Sequence, residues 1–315
     1  MKSRLLALFV VLCCCSGLFA QEESVLKVLI IDGQNNHGDW PKCTALMKQH
    51  LEETGRFEVD VERTKYTWQG EKHFPKYSLD DKEYEAVKKS KTDPDFEPNF
   101  FAYDVVLSNF GFGAAPWPKT TKRSFEQYVR QGGGLVVVHA ADNSFGDWPE
   151  YNEMIGIGGW GGRKKESGPY VYWEDGLIVR DAEMDGPGGS HGPQHEFTVI
   201  VRDANHPVTD GMPREWLHVK DELYDSLRGP ASNMRVLATA FSSKTKRHEP
   251  MIMSINYHQG RVFHTPMGHA DYSMQCVGYV STLLRGTEWA ATGKATTTFP
   301  RTFLGQKRPF PSNNY

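Results

Sequence analysis

Val25 to Ile31 (VLKVLII) is apolar but for one lysine and runs into Asp32-Gly33. A run of that length ended by a turn signal predicts a strand buried on both faces, as in a parallel sheet, with a loop at its carboxyl end. Pro41 to Thr54 then reads as a helix and Phe57 to Glu62 alternates like a strand, so the first unit is β-α-β. The strand signal returns at Tyr103 to Ser108 and, most strongly, at Leu135 to Val138; between them Thr120 to Gln131 reads as a helix broken by Gly132-Gly133-Gly134. Further strands are predicted at Phe197 to Val201, Arg235 to Phe241, Met251 to Asn256 and Arg261 to His264, and a late helix at Tyr272 to Arg285. Residues 65 to 100 carry charge without periodicity and include Asp93-Pro94 and Glu97-Pro98, which predicts a surface excursion. Residues 140 to 195 are rich in Gly, Trp, Tyr and Asp, which predicts a long functional loop rather than a helix, and residues after Pro300 read as a tail. No internal repeat stands out.

The amino-terminal end has a different pattern. Lys2 and Arg4 precede an apolar run from Leu5 to Leu12 and small residues ending at Ala20, the layout of a signal peptide over residues 1 to 20. Export to the periplasm or medium is therefore expected, with a mature chain starting at Gln21. Cys13, Cys14 and Cys15 offer a lipoprotein anchor as the rival, disfavoured because no small residue precedes Cys13. No later run approaches the roughly 20 apolar residues of a membrane helix. Cleavage would leave Cys43 and Cys276, too few for a disulfide framework, and 34 basic against 39 acidic residues, moving the formal charge from -3 to -5. That balance excludes a nucleic-acid partner.

Histidines concentrate at strand ends. His139, Asp142 and Asn143 follow the strand Leu135 to Val138, where an open α/β sheet places reactive groups; the alternative is that His139 only ties down a loop. His264 and His269 flank Pro266 and Gly268 after another strand, as bases or metal ligands or as mere caps of the next helix. His191, His195 and Glu196 form the densest polar cluster, a candidate metal set with a third ligand from His139 or from residues 258 to 269. Gly188-x-Ser190-x-Gly192 spells a nucleophile elbow but lacks the apolar strand that must lead into it. Asp221 and Glu222 are adjacent, so on a strand they point apart and are not a glycosidase pair by spacing alone. Trp148, Tyr151, Trp160, Tyr170, Tyr172 and Trp173, with Arg163 beside them, offer flat faces for a sugar or a local core for the loop.

Taken in order, Val138-His139-Ala140-Ala141-Asp142-Asn143-Ser144-Phe145, Gly158-Gly159-Trp160-Gly161-Gly162-Arg163, His191-Gly192-x-x-His195-Glu196-Phe197, Asp221-Glu222-Leu223-Tyr224 and His264-Thr265-x-x-Gly268-His269 resemble the ThuA-like (trehalose utilisation) family. The resemblance runs from about residue 25 to 300. It implies an α/β fold of the class I glutamine amidotransferase type: a flavodoxin-like three-layer sandwich over residues 24–300, with a mostly parallel central sheet flanked by helices. Amidotransferases carry a cysteine in Gly-x-Cys-x-Gly after a strand, whereas this corner reads Val138-His139-Ala140-Ala141, so glutaminase chemistry is not expected. The family's link to 3-keto sugars implies a carbohydrate-active lyase, isomerase or hydrolase on a keto-glycoside, using histidine acid/base chemistry with or without a divalent metal. In that reading His139, His269 and Asp142 are catalytic, Trp160, Arg163, Asn143, Tyr224, Glu222 and His264 hold substrate, and His191, His195 and Glu196 bind metal. The expected partner is a small-molecule or oligosaccharide substrate, and a homo-oligomer is left open. A non-enzymatic carbohydrate-binding protein and a metal-dependent hydrolase of another substrate are the alternatives.

Overall fold

The computed structural model describes residues 24–300 and Phe303. The predicted signal peptide, and the predicted tail apart from Phe303, lie outside the described residues. Strand β1 (Leu26–Gln34), helix α1 (Trp40–Glu52) and strand β2 (Phe57–Trp68) form the first β-α-β unit. Pro41 in the first turn of α1 costs no hydrogen bond there, because the amide it lacks would be unpaired in any case. A short helix α2 (Phe74–Tyr77) and edge strand β3 (Glu85–Val87) precede β4 (Val105–Ser108), α3 (Lys119–Arg130) and β5 (Gly134–Val138). A 3₁₀ turn at His139–Asn143 leads to α4 (Pro149–Ile155), β6 (Tyr170–Glu174), β7 (Leu177–Asp181) and the two-residue β8 (Ser190–His191). The chain ends with β9 (His195–Val201), β10 (Glu215–Asp221), β11 (Tyr224–Asp225), β12 (Met234–Ser242), β13 (Arg247–Tyr257), β14 (Gly260–Thr265), α5 (Asp271–Met274) and α6 (Val277–Thr292).

The main sheet runs β10-β9-β12-β13-β14-β5-β4-β1-β2-β3, with β6 and β7 joined to it through β13. From β14 to β3 every pair is parallel, and from β10 to β14 every pair is antiparallel. Leaving out the three-residue β3, the parallel strands taken in chain order lie 2-1-3-4-5 across the sheet, the flavodoxin-like order. Its direction reverses between β1 and β4, and ligands of such sheets bind outside the carboxyl ends at that point.

Alternation along the strands builds both faces. Leu26, Val28 and Ile30 of β1 pack toward Cys43, Met47 and Leu51 of α1 and Leu283 of α6, while Leu29 and Ile31 pack toward Phe125 and Val129 of α3 and Tyr151 and Met154 of α4. Each such fully buried side chain contributes roughly 1.5–3 kcal/mol. The result is a three-layer α/β sandwich, as the ThuA-like resemblance implies. Gly33 at φ 127° lets β1 turn toward its loop; a Cβ there would come within 2.1 Å of Thr64 Oγ1.

Three expectations need correction. Residues 140 to 195 are not one long loop but carry α4, β6, β7 and β8, elements too short to leave a periodic signal and pinned by two arginines. The Arg163 guanidinium donates to Asn152 Oδ1 and to the carbonyls of Gly159 and Ser144; that of Arg228 donates to the carbonyls of Gly168, Gly186 and Met184 and lies 3.9 Å over the Tyr170 ring. The late helix is broken at Gln275-Cys276 into α5 and α6, and α6 runs on to Thr292, where Gly293 at φ 79° closes it. Within the 65–100 excursion, β2 extends to Trp68 and β3 adds an edge strand. Phe303 is buried against Trp216, with ring centroids 5.5 Å apart.

Candidate active site

Four strand ends meet beyond the carboxyl edge of the parallel sheet. The loop after β1 brings His37, the loop after β4 Phe112, the turn after β5 His139 and Asn143, and the loop after β14 His269. From the side, β10 delivers Glu222, and the pairing of β8 with β11 sets His191 opposite Tyr224. Together these enclose a cavity of about 130 Å³ walled by His37, Asn143, Trp160, His191, Glu222 and Tyr224 and completed by Asn36 and Phe112.

His139 is the pivot. It takes φ 46°, a left-handed conformation costly for a residue with a side chain, directly after β5. Three contacts hold it there. Nδ1 lies 2.8 Å from the Pro266 carbonyl and must donate to it, which leaves Nε2 as an acceptor. The Tyr224 hydroxyl, itself receiving an N–H from Asn143 at 3.1 Å, donates to that Nε2 at 2.9 Å. His269 Nδ1 approaches the same nitrogen at 3.3 Å and Glu222 Oε2 at 3.1 Å. His37 stands over both imidazoles, its ring centroid 5.0 Å from that of His139 and 4.7 Å from that of His269.

Charge divides unevenly within this group. Burial, reinforced by His269, pushes His37 down to about 4, and burial with His37 and His269 holds His139 well below the ordinary histidine range. Burial opposes ionisation of His269 and Glu222 too, but their mutual hydrogen bond wins, raising the imidazole and lowering the carboxyl. The site therefore favours two neutral imidazoles, His37 and His139, beside a hydrogen-bonded His269–Glu222 pair in which each partner favours the other's charged form. One donor atom from each of His37, His139, Glu222 and His269 lies within 4.8 Å of the others, a set with the chemistry to bind a transition metal.

Asp221 fixes the loop that carries His269. Its carboxylate accepts from the amides of Gly268 at 2.8 Å and His269 at 3.0 Å, and from His218 Nε2 at 2.8 Å. Burial opposes a charge on His218, but Cys276 and Asp221 outweigh it and raise that imidazole to about 10.

Of the residues singled out in the sequence, Asn143, Trp160, His191, Glu222 and Tyr224 reach the cavity wall, with His139 and His269 joined to Glu222 in the four-donor cluster. Others fall elsewhere. Asp142 and His264 are fully buried against each other at 3.2 Å. His264 Nδ1 lies 2.9 Å from the Ile155 carbonyl, so both ring nitrogens are engaged in the protein, and neither Asp142 nor His264 lines the cavity. Arg163 spends its guanidinium on the loop. The proposed metal set of His191, His195 and Glu196 does not assemble: His195 and Glu196 are neighbours on β9 and point apart, and His195 Nδ1 is held by the Pro193 carbonyl. Among the described residues the four-donor cluster takes its place. His37, Asn36 and Phe112 were missed; a loop after the first buried strand, ending in Asn35-Asn36-His37, was the available signal.

The fold and the position of this site define an α/β protein with a candidate ligand site at a flavodoxin-like switch point. The trehalose utilisation (ThuA) family model matches residues 27–290, and the chain belongs to that family. A ThuA-like protein from Parabacteroides merdae is 42% identical over 89% of this chain and 95% of its own, with a TM-score of 0.78. A second, from Bacteroides uniformis, is 20% identical over 89% and 96%, with a TM-score of 0.53, and shares the fold. No curated protein matches the chain significantly. Among the described residues no helix is long and apolar enough to cross a membrane.

Proposed function

We propose that the chain is an exported, carbohydrate-active enzyme that uses Glu222 and its histidines to act on a 3-keto-glycoside or related sugar. The observation that carries this reading is the Glu222 carboxylate, held ionised by His269 and facing a small cavity walled by Trp160, Tyr224 and His191. A ketone at C3 acidifies the C2 proton, which Glu222 would accept. The C–H electron pair then moves onto the ketone as an enediolate, and its collapse forms C1=C2 and breaks the bond from C1 to the aglycone oxygen. That oxygen takes up a proton, for which His191, 3.9 Å from Glu222 and more than a third exposed, is the imidazole at the mouth. The proton gained by Glu222 leaves through His191 toward that oxygen, and the hydrogen bond from His269 favours the ionised carboxylate for the next cycle.

The test is exchange of the C2 proton in deuterated buffer, read by NMR, alongside aglycone release. Glu222→Gln is expected to lower both by about 10²–10⁴-fold, the usual worth of a positioned acid or base. Undiminished exchange in that variant, or none in the wild-type protein, overturns the reading. The convergence of four donors favours a second form of the same centre: His37, His139, His269 and Glu222 would hold a divalent transition metal, which would supply Lewis acidity toward a ketone oxygen. Export rests on the amino-terminal pattern, and mass spectrometry of the secreted chain is expected to find Gln21 at its start.

A further inference from the structure

A second cavity, of about 220 Å³, opens between the loop after β4 and the turn after β5. It shares Phe112 and Asn143 with the histidine-lined cavity, so the two are neighbours across those side chains. The second cavity differs in character. Phe112, Phe145 and Trp148 give it aromatic faces, and Gly113, Gly146 and Gly161 also line it. Its polar groups are Lys122, whose ammonium lies 4.9 Å over the Trp148 ring, and the exposed Asp147.

We propose that this groove is the leaving-group subsite: it holds the ring of a cyclic aglycone, a second sugar or an aryl group, while the keto ring occupies the histidine-lined cavity. The proposal rests on the keto-glycoside reading and specifies its substrate class. Three observations carry it. Neither cavity alone reaches the roughly 300 Å³ at which small-molecule sites begin, whereas the two together pass it. Asn143 lines both, and its Nδ2 donates to the Tyr224 hydroxyl that in turn reaches His139, so the groove abuts the histidine-lined site. Phe112 is 43% exposed at the shared wall, an apolar face that a ring with C–H or aryl edges would cover. A methyl aglycone would leave all of this surface wet.

The experiment is calorimetric binding of three 3-keto-glucosides, bearing methyl, phenyl and glucosyl aglycones, to the wild-type protein and to Ala114→Phe. That substitution puts a ring into the groove from its own wall, and a thermal melt of the variant confirms that it folds. The wild-type protein is expected to bind at least one ring-bearing glycoside roughly tenfold more tightly than the methyl one, and the variant to lose that preference. Preference for phenyl over glucosyl would assign the groove to aryl aglycones, and the reverse to disaccharides. Equal affinity for all three in the wild-type protein, or a preference that survives Ala114→Phe, overturns the subsite while leaving the keto-glycoside reading intact. If none binds, that reading falls, and the subsite falls with it because there is no glycosidic bond to flank.

Discussion

Asp32 and Arg63 illustrate how little of this site's support is at its surface. Both side chains are fully buried, joined by two hydrogen bonds of 2.7 and 2.9 Å, with the guanidinium 4.7 Å from the Trp40 ring and Thr44 completing the carboxylate's partners. Breaking one half of such a pair strands the other charge, so Asp32→Asn is expected to cost about 3–5 kcal/mol in urea unfolding. A loss under about 1 kcal/mol would mean that Arg63 finds another anion or reaches water. At this scale the sequence was legible where residue type and strand end coincided. His139, Asn143 and His269 could be picked out because each follows an apolar run, whereas Glu222 and Tyr224 entered as site residues only through the family resemblance. It was illegible where direction mattered. Nothing in the sequence distinguishes Arg163, turned inward onto three loop oxygens, from an arginine turned toward substrate, nor His264, aimed at Asp142, from His269, aimed at Glu222. His37 lies six residues past Ile31, where the predicted first strand ends, and so went unmarked, although β1 runs on to Gln34.

Among the elements, the parallel strands announced themselves because burial on both faces makes them continuously apolar, whereas β6, β7 and β10 alternate irregularly at the sheet's wetter end. Strand β13 buries a carboxyl. Glu249 is 2% exposed and, in place of a cation, has the Thr245 hydroxyl at 2.7 Å and the Ser226 amide at 3.4 Å. Burial, helped by Asp225, pushes its carboxyl from 4.5 up to about 7. The folded state therefore keeps a proton that the unfolded chain has already released, and this residue's contribution to stability falls as pH rises from about 4.5 through 7. Measured against Glu249→Gln, the wild-type protein is expected to lose about 3 kcal/mol across that window, as read by denaturation at several pH values. A difference that is flat with pH would show that Glu249 is ionised in the folded protein as well.

For the whole molecule, the sheet order decides where chemistry can occur. The reversal of strand order between β1 and β4 leaves a crevice at the carboxyl ends, and the antiparallel strands β10, β9, β12 and β13 extend the sheet on one side, so that the end of β10 and the separate β8–β11 pair bring Glu222 and Tyr224 to the same crevice. The four donors thus come from the loops after β1, β5, β10 and β14, far apart in sequence and close only in the assembled fold. A ligand that bridges them ties the assembled state together and must raise the stability of the whole chain, by about 2.7 kcal/mol at a hundredfold excess over its dissociation constant. Protein stripped with chelator and titrated with Zn²⁺ or Co²⁺ is therefore expected to melt higher, with Co²⁺ giving visible absorption from nitrogen and oxygen ligation. His37→Ala and His269→Ala should abolish the rise, while His195→Ala, whose ring belongs to a separate turn, should keep it. Zinc that stabilises all three variants alike would be binding elsewhere, and zinc that stabilises none, the wild type included, would leave the centre to proton chemistry. Because the readout is unfolding rather than turnover, it tests the donor cluster whatever substrate the cavity accepts.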